Sequence, residues 1–131
     1  MFVRPYFLTI ILSIALFFAH RYADIHDSYF AYRWLDIPMH VFGGFVVALL
    51  GVCLLAFFRR KIEKPVFSLL VVLFVLVVGA LWEIFELSVN VMYHIRTTNL
   101  THIQDTIFDL INDVIGALAA LYVAYKKHWY E

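Results

Sequence analysis

Four long apolar stretches, separated by shorter polar segments, dominate the pattern of this sequence. They cover residues 5–19, 39–58, 65 to about 95, and 106–125. A helix that crosses the hydrocarbon core of a bilayer needs about 20 predominantly apolar residues. The pattern therefore predicts an all-α, polytopic membrane protein in which four transmembrane helices form a bundle.

The first stretch also fits a secretory signal peptide, because Arg4 precedes a short apolar core and Ala19 could end it. Phe17 stands where cleavage would require a small residue. We therefore interpret the stretch as a retained helix. The third stretch, if helical throughout, would be roughly 46 Å long and would have to tilt or protrude.

The segment at residues 21–37, between the first two spans, alternates aromatic with charged side chains. Tyr22 and Trp34 stand close to Asp24 and Arg33. Aromatic and charged residues of this kind gather where membrane and water meet. The segment is therefore predicted to lie on the bilayer surface, as an interfacial segment.

Composition agrees with a membrane location and limits the other classes. Of the 131 residues, 64% are hydrophobic and 15% are charged, which is outside the usual balance of a soluble domain. Four spans leave room for a single domain, residues 1–131. The lone Cys53 cannot form an intrachain disulfide or a two-cysteine metal motif. A net charge of zero argues against a nucleic-acid partner.

The turn between the second and third spans predicts the orientation. Segment 59–64 carries Arg59, Arg60, Lys61 and Lys64, and such basic turns stay in the cytoplasm. With an even number of spans, both termini are then cytoplasmic, and the protein is a multi-pass protein of the cell membrane. The basic residues left outside are Arg21, Arg33 and Arg96.

This orientation gathers acidic side chains at the extracytoplasmic side. Glu63 and Glu131 are inside, and the other eight of the ten carboxylates are outside. Glu83 lies roughly 27 Å along the third helix from its cytoplasmic start, near the outer boundary. Most histidines fall on the same side, namely His20, His26, His40, His94 and His102.

Helical spacing aligns these acids into stripes that end in small residues. Successive acids of the fourth helix are one turn apart, and small residues let helices approach closely. The stripes are therefore predicted to face one another inside the bundle. They consist of Asp36, His40, Gly43, Val47 and Gly51; of Gly79, Glu83, Glu86, Asn90 and His94; and of Asp105, Asp109, Asn112, Asp113 and Gly116.

Carboxylates inside a bilayer normally pair, take up protons or bind a cation. Arg33 and Arg96 could neutralise at most two of them. Asp-x-x-x-His at 36–40 and Glu-x-x-Glu at 83–86 have the one-turn spacing by which helix bundles hold divalent ions. We predict a divalent-metal site with catalytic roles for Asp36, His40, Glu83 and Glu86. The candidate ligands are Asp36, His40, Glu83, Glu86, Asp105, Asp109 and Asp113.

Several of these residues also have purely structural interpretations. Asp105 could be the N-cap of the fourth helix. Glu83 and Glu86 could form an interface pair with Arg96. His40 alone would be interpreted as an ordinary interior histidine. Because Asp36 lies one turn before it, a role as a metal ligand is favoured equally.

Three segments resemble a known family. They are Asp-Ile-Pro-Met-His-Val-Phe-Gly-Gly at 36–44, Ala-Leu-Trp-Glu-Ile-Phe-Glu at 80–86, and Asp-Thr-Ile-Phe-Asp-Leu-Ile-Asn-Asp-Val-Ile-Gly-Ala at 105–117. They resemble the small bacterial YjdF-type membrane proteins, which are similar in pattern to VanZ-like proteins. The resemblance covers roughly residues 36–117 and implies the same kind of helical fold and polar residues. The VanZ-like pattern suggests a link to glycopeptide tolerance and envelope lipids.

The sequence leaves three functional hypotheses open, and it does not decide whether the chain is an enzyme. The first is a metal site that hydrolyses or transfers a lipid-linked phosphate or headgroup, with one carboxylate as general base. The second is a proton- or cation-binding transport or sensing protein, which the lack of acids in the inner halves of the spans disfavours. The third is a structural subunit whose acids receive a basic segment of a partner. A homo-oligomer is compatible with all three.

Overall fold

The structure, a computed structural model, describes residues 5–57, 62–88 and 101–129. Four of its helices are long and apolar enough to cross a membrane. The prediction of an all-α protein with four transmembrane helices is therefore confirmed. In chain order the helices are α1 (Pro5–Ile25), α2 (Ser28–Ala31), α3 (Asp36–Phe57), α4 (Lys64–Ser88) and α5 (His102–Lys126).

The helices extend beyond the apolar stretches where polar residues continue the hydrogen-bonded backbone. The segment predicted at residues 21–37 consists of the end of α1, the short helix α2 and the first residues of α3. Residues 89–95 of the third stretch lie outside the described residues. So do other residues used in the predictions, namely Arg4, Arg59, Arg60, Lys61, Asn90, His94, Arg96 and Glu131.

The start of α5 is set by a capping box. The Thr101 side chain accepts a hydrogen bond from the Gln104 backbone N–H, and the Gln104 side chain accepts one from the Thr101 N–H. These two bonds satisfy backbone donors that have no partner within the helix. Asp105 is therefore not the N-cap, as one interpretation had it; it lies inside the first turn of α5.

Helix α3 is the centre of the bundle. It packs most extensively against α5 and also contacts α4 and α1. The apolar core lies between α3, α4 and α5, where alanines of α5 let the helices approach closely. This core includes Ala48, Leu49, Val52, Val71, Val75, Ala117, Ala120 and Ala124.

Helices α3 and α5 approach each other closely where they cross. A side chain at Gly44 would overlap the backbone of Asp113, and one at Gly116 would overlap the backbone of Val41. Gly43, which the predicted stripe included, has open space around it. The stripe was therefore wrong by one residue at this point, and Gly44 makes the contact.

Helices α3, α4 and α5 run in alternating directions, so that the start of α3, the end of α4 and the start of α5 meet. We call this the acidic end, defined by Asp36, Glu86 and Asp105. At the opposite end, the Tyr125 hydroxyl donates a hydrogen bond to the Lys64 carbonyl at 2.9 Å. This bond ties the start of α4 to the end of α5.

Candidate metal centre

The imidazole of His40 is surrounded by three carboxylates at the acidic end. Its Nδ1 lies 3.2 Å from Asp113 Oδ1. Its Nε2 lies 3.7 Å from Asp36 Oδ1 and 3.8 Å from Asp109 Oδ1. His40, Asp109 and Asp113 are buried, and Asp36 is half-buried. The structure thus brings three of the other six candidate ligands within ion-pair distance of His40.

Helix geometry explains why these four side chains meet. Asp36 and His40 are one turn apart on α3, and Asp109 and Asp113 are one turn apart on α5. The crossing at Gly44 lies one turn beyond His40, so the two pairs share one level. Asp36 is also the first residue of α3, where the helix dipole favours negative charge.

Asp113 reaches the bundle interior because small residues make room for it. A side chain at Gly79 of α4 would collide with Asp113 Oδ2, and one at Gly44 would overlap the Asp113 backbone. The carboxylate therefore lies between α3 and α4, with one oxygen next to His40. Glycines at these two positions are a steric requirement of the cluster.

Asp36, His40 and Asp109 have the geometry of a candidate metal site. One ligand atom from each residue can be chosen so that all three lie within 4.8 Å of one another. Ligand atoms that share an ion at about 2.1 Å are roughly 3.0–3.4 Å apart, so the three atoms would have to move closer together to hold one. Because Asp113 is next to Nδ1, Nε2 remains available for an ion, which is the usual pattern of metal-binding histidines. The same atoms can also pair with a protonated imidazole.

Glu83 presents a buried oxygen atom close to this cluster. Its side chain is buried, and its Oε2 accepts a hydrogen bond from Thr106 Oγ1 at 2.9 Å. Its Oε1 has no hydrogen-bond partner among residues 5–57, 62–88 and 101–129. Buried polar atoms nearly always have a partner. Its donor Thr106 lies three residues before Asp109 on α5, and Gly79, one turn before Glu83 on α4, faces Asp113 Oδ2.

Glu86 and Asp105 lie at the edge of the cluster. Glu86 is half-buried, and its Oε1 accepts a hydrogen bond from Trp82 Nε1 at 2.8 Å. Asp105 is half-buried in the first turn of α5, one turn before Asp109. Neither carboxylate is one of the three residues that form the candidate metal site.

A cavity of about 350 Å³ lies beside the cluster, between α1, α3 and α4. The acidic end of the cavity is polar, and the rest is lined by aliphatic and aromatic side chains. Its polar lining includes His20, Tyr29, Asp36, His40, Glu86 and Asp113. Its apolar lining includes Leu16, Phe17, Val47, Leu50, Val75 and Val78.

Sequence reasoning missed several residues around the cavity and cluster. His20, which the sequence assigned only to the extracytoplasmic side, lines the cavity; its Nδ1 lies 2.9 Å from the Tyr29 hydroxyl and its ring packs edge-on against Trp82. Thr106, the donor to Glu83, was not singled out either. The one-turn spacing of Trp82 and Glu86 could have indicated their hydrogen bond. No sequence pattern indicated that Tyr29 contacts His20.

Most of the chain matches a known family model. The family model described as "Predicted membrane protein (DUF2238)" matches residues 3–129, a range that includes α1 to α5 as described above. No curated protein and no solved structure matched the chain. Because the match covers nearly the whole sequence, the chain belongs to the DUF2238 family of membrane proteins.

Proposed function

We propose that the chain binds a divalent metal ion through Asp36, His40 Nε2 and Asp109, and uses it on a phosphate group carried by a membrane lipid. The observation that carries this proposal is the environment of His40. One ring nitrogen is next to Asp113, while the other lies near two further carboxylates. This arrangement orients a histidine for metal binding.

The charge of the cluster supports an ion. Even a protonated His40 balances only one of the three carboxylates around it. Charges inside a membrane protein are costly unless they are paired or bind a cation. When neutral His40 binds the ion through Nε2, a divalent ion would offset two of the three carboxylate charges. Glu83 Oε1, which has no partner among the described residues, offers a further ligand.

The residues then divide into distinct roles. A bound ion would supply Lewis acidity toward a phosphoryl oxygen and make water more nucleophilic. Asp113 positions His40. Glu86, which lines the cavity beside Asp36, acts as general base and takes a proton from the attacking water. The water oxygen bonds to phosphorus while the ester bond breaks, and the departing oxygen takes up the proton that Glu86 has received.

Two observations favour a lipid as the carrier of the phosphate. The cluster lies where three long apolar helices begin or end, which is the level of lipid headgroups in a bilayer. The adjoining cavity is apolar over most of its lining. The resemblance to YjdF-type and VanZ-like proteins, with its link to envelope lipids, agrees with this substrate class. We place the site at the extracytoplasmic face, because the basic turn at 59–64 favours the cytoplasm at the other end of the bundle.

Elemental analysis of purified protein tests the metal. Protein stripped by a chelator is offered Mg²⁺, Mn²⁺, Zn²⁺ and Ca²⁺ in turn, and we expect one of these ions to bind in an equimolar ratio. Asp109→Asn should abolish or strongly reduce the binding. Asp27→Asn is the matched control, because Asp27 is exposed and has a positive φ that asparagine also adopts.

A wild-type protein that stays free of all four ions would contradict this function. The same short distances would then describe carboxylates that share protons with His40. In that case the proton- or cation-sensing hypothesis replaces the enzyme.

A further inference from the structure

The cavity beside the cluster is elongated along the helices. On α3 its lining extends from Asp36 to Leu50, about 21 Å along the helix axis at 1.5 Å per residue. On α4 it extends from Glu86 back to Val75, about 16 Å. The apolar part therefore runs from the acidic end toward the middle of the transmembrane bundle.

The cavity is also open toward the outer surface of the bundle. Phe17 of α1 and Leu50 of α3 both line it, yet 60% and 44% of these residues are exposed. In a membrane that surface faces lipid chains instead of water. A molecule can therefore enter sideways from the bilayer, past Phe17 and Leu50.

We infer that this cavity binds one hydrocarbon chain of a membrane lipid, whose headgroup then lies against His40. The phosphate identity of that headgroup rests on the function proposed above. A volume of about 350 Å³ is near the lower end of small-molecule pockets. It therefore suits a single chain and not both chains of a diacyl lipid.

Aromatic side chains mark the level at which chain and headgroup would separate. His20 and Trp82 pack together with ring centroids 5.2 Å apart, and both line the cavity. Trp82 donates its N–H to Glu86, so its polar edge is turned to the acidic end. Side chains with one apolar and one polar side favour the boundary between hydrocarbon and headgroups.

Two neighbouring valines of α4 allow a matched test. Val78 lines the cavity, whereas Val77 is 59% exposed on the outer surface. Val78→Phe should fill the apolar part, and Val77→Phe adds the same volume outside. Metal content is measured for both variants to show that the cluster is intact.

Thermal unfolding provides the measurement, in a sterol-based detergent that has no linear chain of its own. For metal-loaded wild type and Val77→Phe, we expect dodecyl phosphate to raise Tm by several degrees more than inorganic phosphate does. Val78→Phe should lose this extra rise and keep its metal. Equal effects of the two phosphates on wild type, or an undiminished rise in Val78→Phe, would overturn the inference and leave the metal centre standing.

A second arm separates this inference from the proposed function. If the wild type binds no metal, dodecylamine is added to the metal-free protein, because the carboxylates would then attract a cationic headgroup. A rise in Tm that Val78→Phe removes and Val77→Phe keeps would support the chain site without the metal. No such rise in the wild type would contradict the chain site as well.

Discussion

The imidazole ring of His40 lies close to carboxylates of both α3 and α5. Three carboxylates lie 3.2–3.8 Å from its nitrogens, so each of them shares the imidazole with two others. Loss of one carboxylate therefore leaves His40 with two acidic neighbours. The cluster is crowded in negative charge, which separates it from an ordinary ion pair whose loss strands a buried charge.

The first prediction concerns Asp113→Asn. In metal-free detergent we expect Tm to be unchanged or raised, because the change removes a repelling charge and keeps an oxygen acceptor next to Nδ1. The affinity for the metal ion should fall about 10- to 100-fold, as is typical when the hydrogen-bond partner of a ligating histidine is changed.

Added metal should consequently stabilise the wild type more than the variant, because an ion that binds only the folded state raises Tm by mass action. Glu86→Gln should behave similarly without metal. A marked loss of Tm in metal-free Asp113→Asn would instead identify the carboxylate as part of a structural network.

The second prediction concerns Thr106, whose hydroxyl donates to the buried Glu83 carboxylate. Thr106→Val keeps the shape of the side chain and removes the donor. We expect a loss of about 1–3 kcal/mol in the free energy of unfolding, because a buried acceptor loses its partner. Thr106→Ser retains the hydroxyl and should unfold close to the wild type in a denaturant titration. Equal losses in both variants would point to packing instead of the hydrogen bond.

At the level of side chains, the sequence indicated which acids lie close together but not which nitrogen of His40 each of them approaches. Spacing along α5 was enough to place Asp109 and Asp113 on one face, and both are near His40. Spacing could not predict that Asp113 lies on Nδ1 and Asp109 near Nε2. That division depends on the rotation of one ring and on a helix crossing that no local pattern encodes.

The crossing of α3 and α5 determines whether the cluster can form. The backbones touch at Gly44 and Gly116, one turn below the acids. The spacing of small residues identified the glycines of α3. Which of the neighbours Gly43 and Gly44 contacts α5 depends on the rotation of α3 about its axis. One residue corresponds to about 100°, and this was the error in the predicted stripe.

The third prediction uses this pair of glycines. Gly44→Ala should destabilise the bundle by about 1–3 kcal/mol or more, because the new methyl group would overlap the Asp113 backbone. Metal binding should fall with it, since His40 and Asp113 would move apart. Gly43→Ala, with nothing within 4 Å of the added carbon, should leave unfolding and metal content unchanged. If both variants behave alike, the crossing is not where the structure has it.

Helix bounds show a second limit of sequence reasoning. Apolar stretches located all four spans, but α5 begins at His102, four residues before its stretch does. Hydropathy locates the part of a helix that lipid covers. The first turn is polar and is fixed by the hydrogen bonds of Thr101 and Gln104, which a search for apolar residues does not detect.

The orientation of the whole molecule leads to the fourth prediction. The basic turn at 59–64 favours the cytoplasm, and the even number of spans brings both termini to the same side. A reporter enzyme that works only in the cytoplasm should therefore be active when it is fused after Glu131. A reporter fused at the same position that is active outside would place the acidic end in the cytoplasm and exclude an extracytoplasmic substrate.

The long separation between His40 and Asp113 has a consequence for how the protein is made. These residues touch across 73 positions of the chain. During synthesis α3 and α4 leave the ribosome before α5, so His40 and Glu83 enter the membrane ahead of Asp113 and Thr106. Polar groups without partners are costly in lipid. We therefore expect the nascent chain to stay with the insertion machinery until α5 arrives, and an interrupted chain that ends before α5 to be recognised as defective and degraded.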